Sequence, residues 1–147
     1  MHRRTAAALT GTALLAALTA TAAPSATAAP AGPPGPVVTC GTPGAPGFLL
    51  TRACIEVNGT QARIYGQVTP TSPSWVAQNV GFRLAGASTA LPPQPPVYPT
   101  VLVPTGGTTV NGLTLTVPCG STVTADFSVN NGGWPPSTAT VTASVPC

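Results

Sequence analysis

The amino-acid sequence predicts an all-β sandwich, and two features of its 147 residues carry this prediction. Hydrophobic and polar residues alternate with period two in several segments, which is typical of strands that have one buried and one exposed face. Clusters of glycine, proline and asparagine separate these segments and supply turns. No window of the sequence shows the spacing of an amphipathic helix.

Residues 1–28 predict a secretion signal peptide. Two arginines near the start are followed by an apolar run over residues 6–20. This run is too short to span a bilayer, and it leads to A-x-A cleavage sites that end at Ala22 and Ala28. We favour cleavage after Ala28, because a proline closes the apolar run and leaves the second site extended.

The rest of the chain divides into two parts. Residues 29–39 are rich in proline and glycine and predict a flexible leader. Residues 40–147 contain all the alternating segments and predict a single β-sandwich domain. No second long apolar segment follows the signal, so we expect no membrane insertion after its removal.

The clearest predicted element is a β-hairpin around Asn58-Gly59. Asn-Gly is the preferred two-residue hairpin turn, because both positions tolerate positive φ. With these two residues as the turn, Val57 lies opposite Thr60. The alternation then puts one set of side chains on the inner face, namely Ala53, Ile55, Val57, Ala62 and Ile64, and another on the outer face, namely Cys54, Glu56, Gln61 and Arg63.

Further strands follow the hairpin at short spacing. A weak one spans residues 97–103, where Pro99 favours an edge or bulged position. With four clearer strands and the hairpin, the total is about seven antiparallel strands, the pattern of a sandwich of immunoglobulin-like architecture. The clearer strands direct four sets of residues inward: Val80, Phe82 and Leu84; Leu113, Leu115 and Val117; Val123, Ala125, Phe127 and Val129; and Ala139, Val141, Ala143 and Val145.

Four cysteines in an exported chain predict two disulfides, for which three pairings are possible. Cys54 lies on the outer face of the hairpin, whereas Cys119 and Cys147 continue the inward alternation of the strands before them. We therefore expect a surface bridge between Cys40 and Cys54, and a second bridge that ties Cys147 to Cys119 on the sheet. We expect no metal site, because the cysteines lack C-x-x-C spacing.

Ionisable side chains are scarce after residue 28. Three arginines stand against two acids, which leaves a formal charge of +1, and lysine and histidine are absent. Nucleophilic catalysis needs a base such as histidine, and the only carboxylate pair, Glu56 and Asp126, falls at outward strand positions. Glu56 can instead meet Arg63 diagonally across the hairpin. We expect no enzyme activity, no cofactor and no nucleic-acid binding.

Four aromatic residues are candidates for ligand binding. Trp75 and Trp134 lie in turn-rich segments, Tyr65 on the outer face of the hairpin and Tyr98 in a proline-rich segment. Aromatic rings on rigid loops suit sugar or peptide recognition, because they supply a large contact area at low entropic cost. The alternative is that each tryptophan caps an open end of the core.

Together these features predict a secreted binding protein, monomeric or weakly self-associating, whose ligand is a polysaccharide of the cell envelope or its surroundings. One alternative is an inhibitor of a secreted hydrolase, a protease or an amylase, that uses the stiff segment 91–99. Another is a coat component that assembles through uncharged threonine faces. The bias to alanine, glycine and proline without lysine favours a bacterial source with GC-rich codons and an extracellular or cell-wall location.

Overall fold

The alternating segments form strands in the computed structural model, which describes residues 35–147. The eight strands are β1 (Val37–Cys40), β2 (Leu49–Asn58), β3 (Gln61–Pro70), β4 (Gln78–Ser88), β5 (Thr100–Val103), β6 (Thr108–Thr116), β7 (Thr122–Val129) and β8 (Thr138–Ser144). They make two four-stranded sheets with the orders β1-β2-β3-β6 and β5-β4-β7-β8. All neighbouring strands are antiparallel, so the predicted all-β sandwich is confirmed.

The two sheets share one hydrophobic core. At its centre Phe82 of β4 and Phe127 of β7 stack with their ring centroids 5.1 Å apart. Side chains of the central strands of the first sheet, such as Ile55 and Ile64, belong to the same buried cluster. The inward-facing residues predicted from the alternation are buried, except Leu113 and Val129, which are partly buried. The alternation therefore identifies which side of each strand faces the core.

Strand β1 was not among the seven predicted strands. It pairs with β2 from Val37 onward, so the predicted leader, residues 29–39, extends three residues too far into the sheet. Hydrophobic and polar residues do not alternate in β1, which lies at the edge of its sheet. Its two consecutive valines, Val37 and Val38, are both more than half exposed. The predicted signal peptide, residues 1–28, and the start of the leader lie outside the described residues.

The weak strand predicted over residues 97–103 is interrupted. Val97 makes an isolated bridge to Leu84, and β5 begins only at Thr100, after Pro99. Because proline cannot donate a backbone hydrogen bond to a neighbouring strand, the break falls at Pro99. As predicted, β5 is an edge strand of its sheet.

The strand order places β2 and β3 side by side in the first sheet. In immunoglobulin constant domains the second and third strands lie in opposite sheets, so this sandwich is connected differently. Here the chain first changes sheet between β3 and β4. This crossing occurs at the end of the sandwich where β2 and β4 begin and where β3 and β7 end.

The β2–β3 hairpin is present, but its register differs from the predicted one. Asn58 pairs with Gln61, so the two turn residues are Gly59 and Thr60 rather than Asn58 and Gly59. Gly59 has φ of 58°, the left-handed region that favours glycine. Each residue of β2 therefore pairs with a residue of β3 that lies two positions further along the chain than predicted. Because side chains alternate with period two, the predicted inner and outer faces are preserved.

This register brings Glu56 directly opposite Arg63, not diagonal to it as predicted. Glu56 Oε2 accepts a hydrogen bond from Arg63 Nη1 at 3.3 Å. The Arg63 side chain is about half exposed, with 49% of its surface accessible. An ion pair this exposed contributes little to stability, because solvent screens it.

The predicted disulfides, Cys40–Cys54 and Cys119–Cys147, are both present, but their exposure is the reverse of the prediction. Cys54 is fully buried although it lies on the outer face, because Cys40 on β1 and Tyr65 on β3 flank it within the sheet. Cys119 and Cys147 are exposed. Each follows a proline beyond the end of its strand, so the inward alternation does not continue to it.

Removing the Cys119–Cys147 bridge, by the double change C119A/C147A, is expected to lower the free energy of unfolding by about 3 kcal/mol, since an open chain has more conformational entropy when unfolded. This bridge spans 28 residues, against 14 for Cys40–Cys54. The pair C40A/C54A is expected to lose at least as much, because it also removes the buried sulfur of Cys54. Urea unfolding under non-reducing conditions measures both. A loss below about 1 kcal/mol in C119A/C147A contradicts the entropic account.

Candidate functional site

Three loops meet at one end of the sandwich and bring three aromatic side chains together. Phe48 directly precedes β2, Trp75 lies in the connection 71–77 between β3 and β4, and Trp134 lies in the connection 130–137 between β7 and β8. We call this surface, with Phe48, Trp75 and Trp134 at its centre, the tryptophan end. Two of the four predicted ligand-binding residues are therefore neighbours.

Trp75 closes the core at the tryptophan end. Its side chain is 8% exposed and belongs to the main buried cluster. The indole Nε1–H donates a hydrogen bond to the Val103 carbonyl on β5 at 3.0 Å. Trp75 thus caps one end of the core, which was the alternative to ligand binding considered from the sequence. Part of its ring still lines the surface of the tryptophan end.

Trp134 packs edge-on against Trp75 and is partly buried. The two ring centroids are 6.3 Å apart, and the ring planes meet at 62°. The Trp134 ring also covers Gly47, where a Cβ atom would lie 3.1 Å from the indole. The backbone N–H of Gly81 on β4 donates to Asn131 Oδ1 at 2.7 Å, which holds the loop carrying Trp134 against the sheet. The position of this ring is therefore set by contacts on several sides.

Phe48 is the site residue that the sequence analysis missed. Its side chain is 65% exposed, although it stands next to the buried Leu49. The backbone on both sides of it is held, because Leu49 N donates to the Pro46 carbonyl and Thr71 N donates to the Phe48 carbonyl. The available signal was an aromatic residue directly after a Pro-Gly turn and immediately before a strand.

Two depressions adjoin each other at the tryptophan end, and both are lined by Phe48 and Trp134. The larger has a volume of about 510 Å³, and the smaller one of about 340 Å³. Apart from the two shared rings, the larger is lined by Ser72, Ser74, Trp75, Val76 and Gln78, and the smaller by Gly47, Gly133 and Pro135.

The larger depression offers hydrogen-bonding groups beside its aromatic rings. Ser72 Oγ and Ser74 Oγ lie 2.8 Å apart and share one hydrogen bond, so one of the two hydroxyls keeps a proton to donate. Gln78 adds an exposed side-chain amide that can both donate and accept. Mostly apolar walls with a few polar groups are typical of small-molecule and sugar sites.

No charged side chain of the described residues lines either depression. Arg52, Glu56 and Arg63 lie on the outer face of the first sheet, and Arg83 and Asp126 on that of the second. The site is thus suited to an uncharged ligand.

The other two predicted aromatic residues lie elsewhere. Tyr65 is only 8% exposed, on the outer face of the first sheet, with the Arg63 guanidinium 5.2 Å from its ring centroid. Tyr98 is 58% exposed, in the segment that precedes β5. Neither lines the tryptophan end.

The carboxylate pair considered from sequence is separated by the fold. Glu56 is on the outer face of β2 and Asp126 on the outer face of β7, so they point away from each other on opposite sheets. Asp126 Oδ1 accepts a hydrogen bond from Thr140 Oγ1 at 2.8 Å. The two carboxylates do not flank a common bond, as glycoside hydrolysis requires.

Residues 35–147 contain no group of three or more histidine, cysteine or acidic side chains placed to hold a metal ion. The same residues form no helix long and apolar enough to cross a membrane.

Comparisons with protein-family models, with curated proteins and with solved structures found no match to this chain. The geometry and chemistry of the tryptophan end therefore carry the functional proposal by themselves.

Proposed function

We propose that the protein is a secreted, non-enzymatic binding domain that holds an uncharged polysaccharide of the cell envelope or its surroundings at the tryptophan end. The observation that carries the proposal is the grouping of Phe48, Trp75 and Trp134 beside serine and glutamine side chains, with no charged side chain of the described residues among them. The scaffold is immunoglobulin-like in its two-sheet architecture, although not in its strand order.

A sugar ring matches both kinds of group found there. Its C–H faces are apolar and pack against aromatic rings, while its hydroxyls exchange hydrogen bonds with hydroxyl and amide groups. Ser72, Ser74 and Gln78 supply such groups at the wall of the larger depression. A neutral sugar also leaves no charge unpaired in this uncharged site.

Two aromatic rings of the site are positioned by contacts within the protein. Trp75 is held by its hydrogen bond to Val103, and the loop of Trp134 is held by Asn131 and Gly47. A preorganised site loses little conformational entropy on binding, which favours affinity from a small contact area. Two disulfides are typical of extracellular proteins, and they support the secreted location in this proposal.

Co-sedimentation with insoluble peptidoglycan, chitin, cellulose and xylan tests the proposal. We expect the oxidised protein to pellet with at least one polymer, and to do so equally at high salt, because none of the charged side chains in residues 35–147 lines the site. Phe48→Ala and Trp134→Ala are each expected to weaken binding by about thirtyfold, which corresponds to about 2 kcal/mol for a central aromatic contact.

Tyr98→Ala is the matched control, since it removes an exposed ring that does not line the site. It should pellet like the unchanged protein. If the protein stays in the supernatant with all four polymers, or if Tyr98→Ala weakens pelleting as much as Phe48→Ala does, the tryptophan end is not a polysaccharide site.

A second candidate function, inhibition of a secreted hydrolase, is favoured by one observation at Tyr98. This exposed side chain sits between two backbone anchors, because Val97 exchanges hydrogen bonds with Leu84 at 2.9 and 3.0 Å and the Pro99 carbonyl accepts one from Phe82 at 2.8 Å. An exposed side chain on a rigid loop is suited to occupy an enzyme's specificity pocket. In this case Tyr98→Ala abolishes stoichiometric inhibition of a protease or amylase, and Phe48→Ala does not.

A further inference from the structure

The two depressions of the tryptophan end differ in chemistry. Polar side chains line only the larger one, where Ser72, Ser74 and Gln78 are found. Among the described residues, the smaller one is bounded by the rings of Phe48 and Trp134 and by Gly47, Gly133 and Pro135. Within residues 35–147, Trp134 is the one residue of this lining whose side chain carries a hydrogen-bonding group.

An apolar wall of this kind selects between substituents of a sugar. A hydroxyl that enters it loses water and gains few hydrogen bonds, which is unfavourable, whereas a methyl group gains from the same burial. A charged amine or carboxylate is disfavoured still more strongly, because the part of the chain that the structure describes places no charged side chain in either depression. The matching substituent is a small, uncharged group that ends in a methyl.

We propose that the tryptophan end selects 2-acetamido sugars, with the sugar ring in the larger depression and the acetyl methyl in the smaller one. The inference rests on the proposed function and narrows its substrate class. Phe48 and Trp134 line both depressions. A sugar unit that lies across the two depressions therefore contacts these two aromatic side chains both with the face of its sugar ring and with its acetyl group. The volume of about 340 Å³ leaves ample room for an acetamido group.

The chain provides its own probe for the test. It has two tryptophans, Trp75 and Trp134, and both line the larger depression, so their fluorescence reports directly on the site. The ligands are three β-1,4-linked tetrasaccharides that differ only at C2: N-acetylglucosamine, glucose and glucosamine units. We expect the acetylated tetramer to bind about tenfold more tightly than either of the others, the smallest effect expected when a methyl group enters an apolar pocket.

Two exposed residues give matched variants, since each lines only one depression. Pro135→Ser changes the smaller depression, and it is expected to reduce the preference for the acetylated tetramer. Gln78→Ala changes the larger depression, and it is expected to weaken the acetylated and the glucose tetramers by the same factor. Pelleting with chitin and with peptidoglycan then distinguishes the two sources of acetamido sugars, because alternate units of peptidoglycan carry a lactyl substituent.

The binding results distinguish a failure of acetamido selection from a failure of polysaccharide binding. If the glucose tetramer binds as tightly as the acetylated one, or if Pro135→Ser leaves their ratio unchanged, the selection of acetamido sugars is wrong while polysaccharide binding stands. If none of the tetramers alters the fluorescence and none of the four polymers pellets the protein, both the inference and the proposed function fail.

Discussion

Trp75→Ala is expected to lower the free energy of unfolding by about 3–5 kcal/mol, the range for removing a buried aromatic side chain. The indole is 8% exposed, packs in the main cluster and makes edge contact with Trp134. Its loss leaves a cavity at one end of the core and removes a donor from the Val103 carbonyl.

Trp75→Phe is an intermediate variant. It keeps one aromatic ring but loses the N–H group and part of the indole's volume, so a loss of about 1–3 kcal/mol, smaller than that of Trp75→Ala, is expected. Val76→Ala is the control, because its side chain is 75% exposed and should change stability by less than about 0.5 kcal/mol. Urea unfolding followed by circular dichroism measures all three. A Trp75→Ala protein as stable as Val76→Ala is incompatible with the capping role.

The expected instability also affects how binding data are interpreted. A Trp75 variant loses both a core side chain and part of the site wall, so a loss of binding in it has two causes. Phe48 is largely exposed and has no such structural role. The binding function is therefore best tested through Phe48, with Trp75 retained, because Trp134 also packs against the core cluster.

Gly66→Ala is expected to lower the free energy of unfolding by about 3 kcal/mol, at the upper end of the usual cost of overpacking. Gly66 lies on β3 and is buried, and a Cβ atom there would overlap the ring of Phe127. The ring has little freedom to move away, because it stacks on Phe82. Glycine is required here by the close approach of a side chain and not by a positive φ.

A double change tests this explanation. In the background Phe127→Leu, which removes the ring, Gly66→Ala should be less harmful, with a coupling free energy of about 1–3 kcal/mol. Gly106→Ala is the control, since a Cβ atom there meets nothing within 4 Å. It is expected to be neutral or slightly stabilising, because alanine restricts the unfolded chain. Additive effects of Gly66→Ala and Phe127→Leu are inconsistent with direct overlap.

Much of the fold was predictable because the relevant signal is local. In a strand, successive side chains point to opposite faces, so the spacing of Phe82 and Leu84, or of Ala125 and Phe127, identifies the buried side without knowledge of the neighbouring strand. The same regularity fails beyond a strand end. Pro118 and Pro146 end the alternation, and the cysteines after them are exposed although their pairing was predicted correctly.

The candidate site was only partly predictable. Trp75 and Trp134 stand out in the sequence because they interrupt turn-rich segments, but nothing local relates one to the other or to Phe48. Tyr65 was expected on an exposed face, yet it is covered because it lies beside Cys54 and beneath the Arg63 side chain. Its exposure depends on neighbouring strands, which a single strand's pattern does not specify.

The sequence by itself determined the all-β class and the inner and outer faces of the strands, because these follow from the pleat of a strand. The pairing of the four cysteines was predicted correctly, although the structure exposes Cys119 and Cys147, whose side chains were expected to point inward. Tertiary structure alone decided the pairing of Asn58 with Gln61, and it alone brought Phe48, Trp75 and Trp134 to one end. The reason is that the order of strands in the two sheets selects which loops become neighbours. That order depends on packing between residues far apart in the chain.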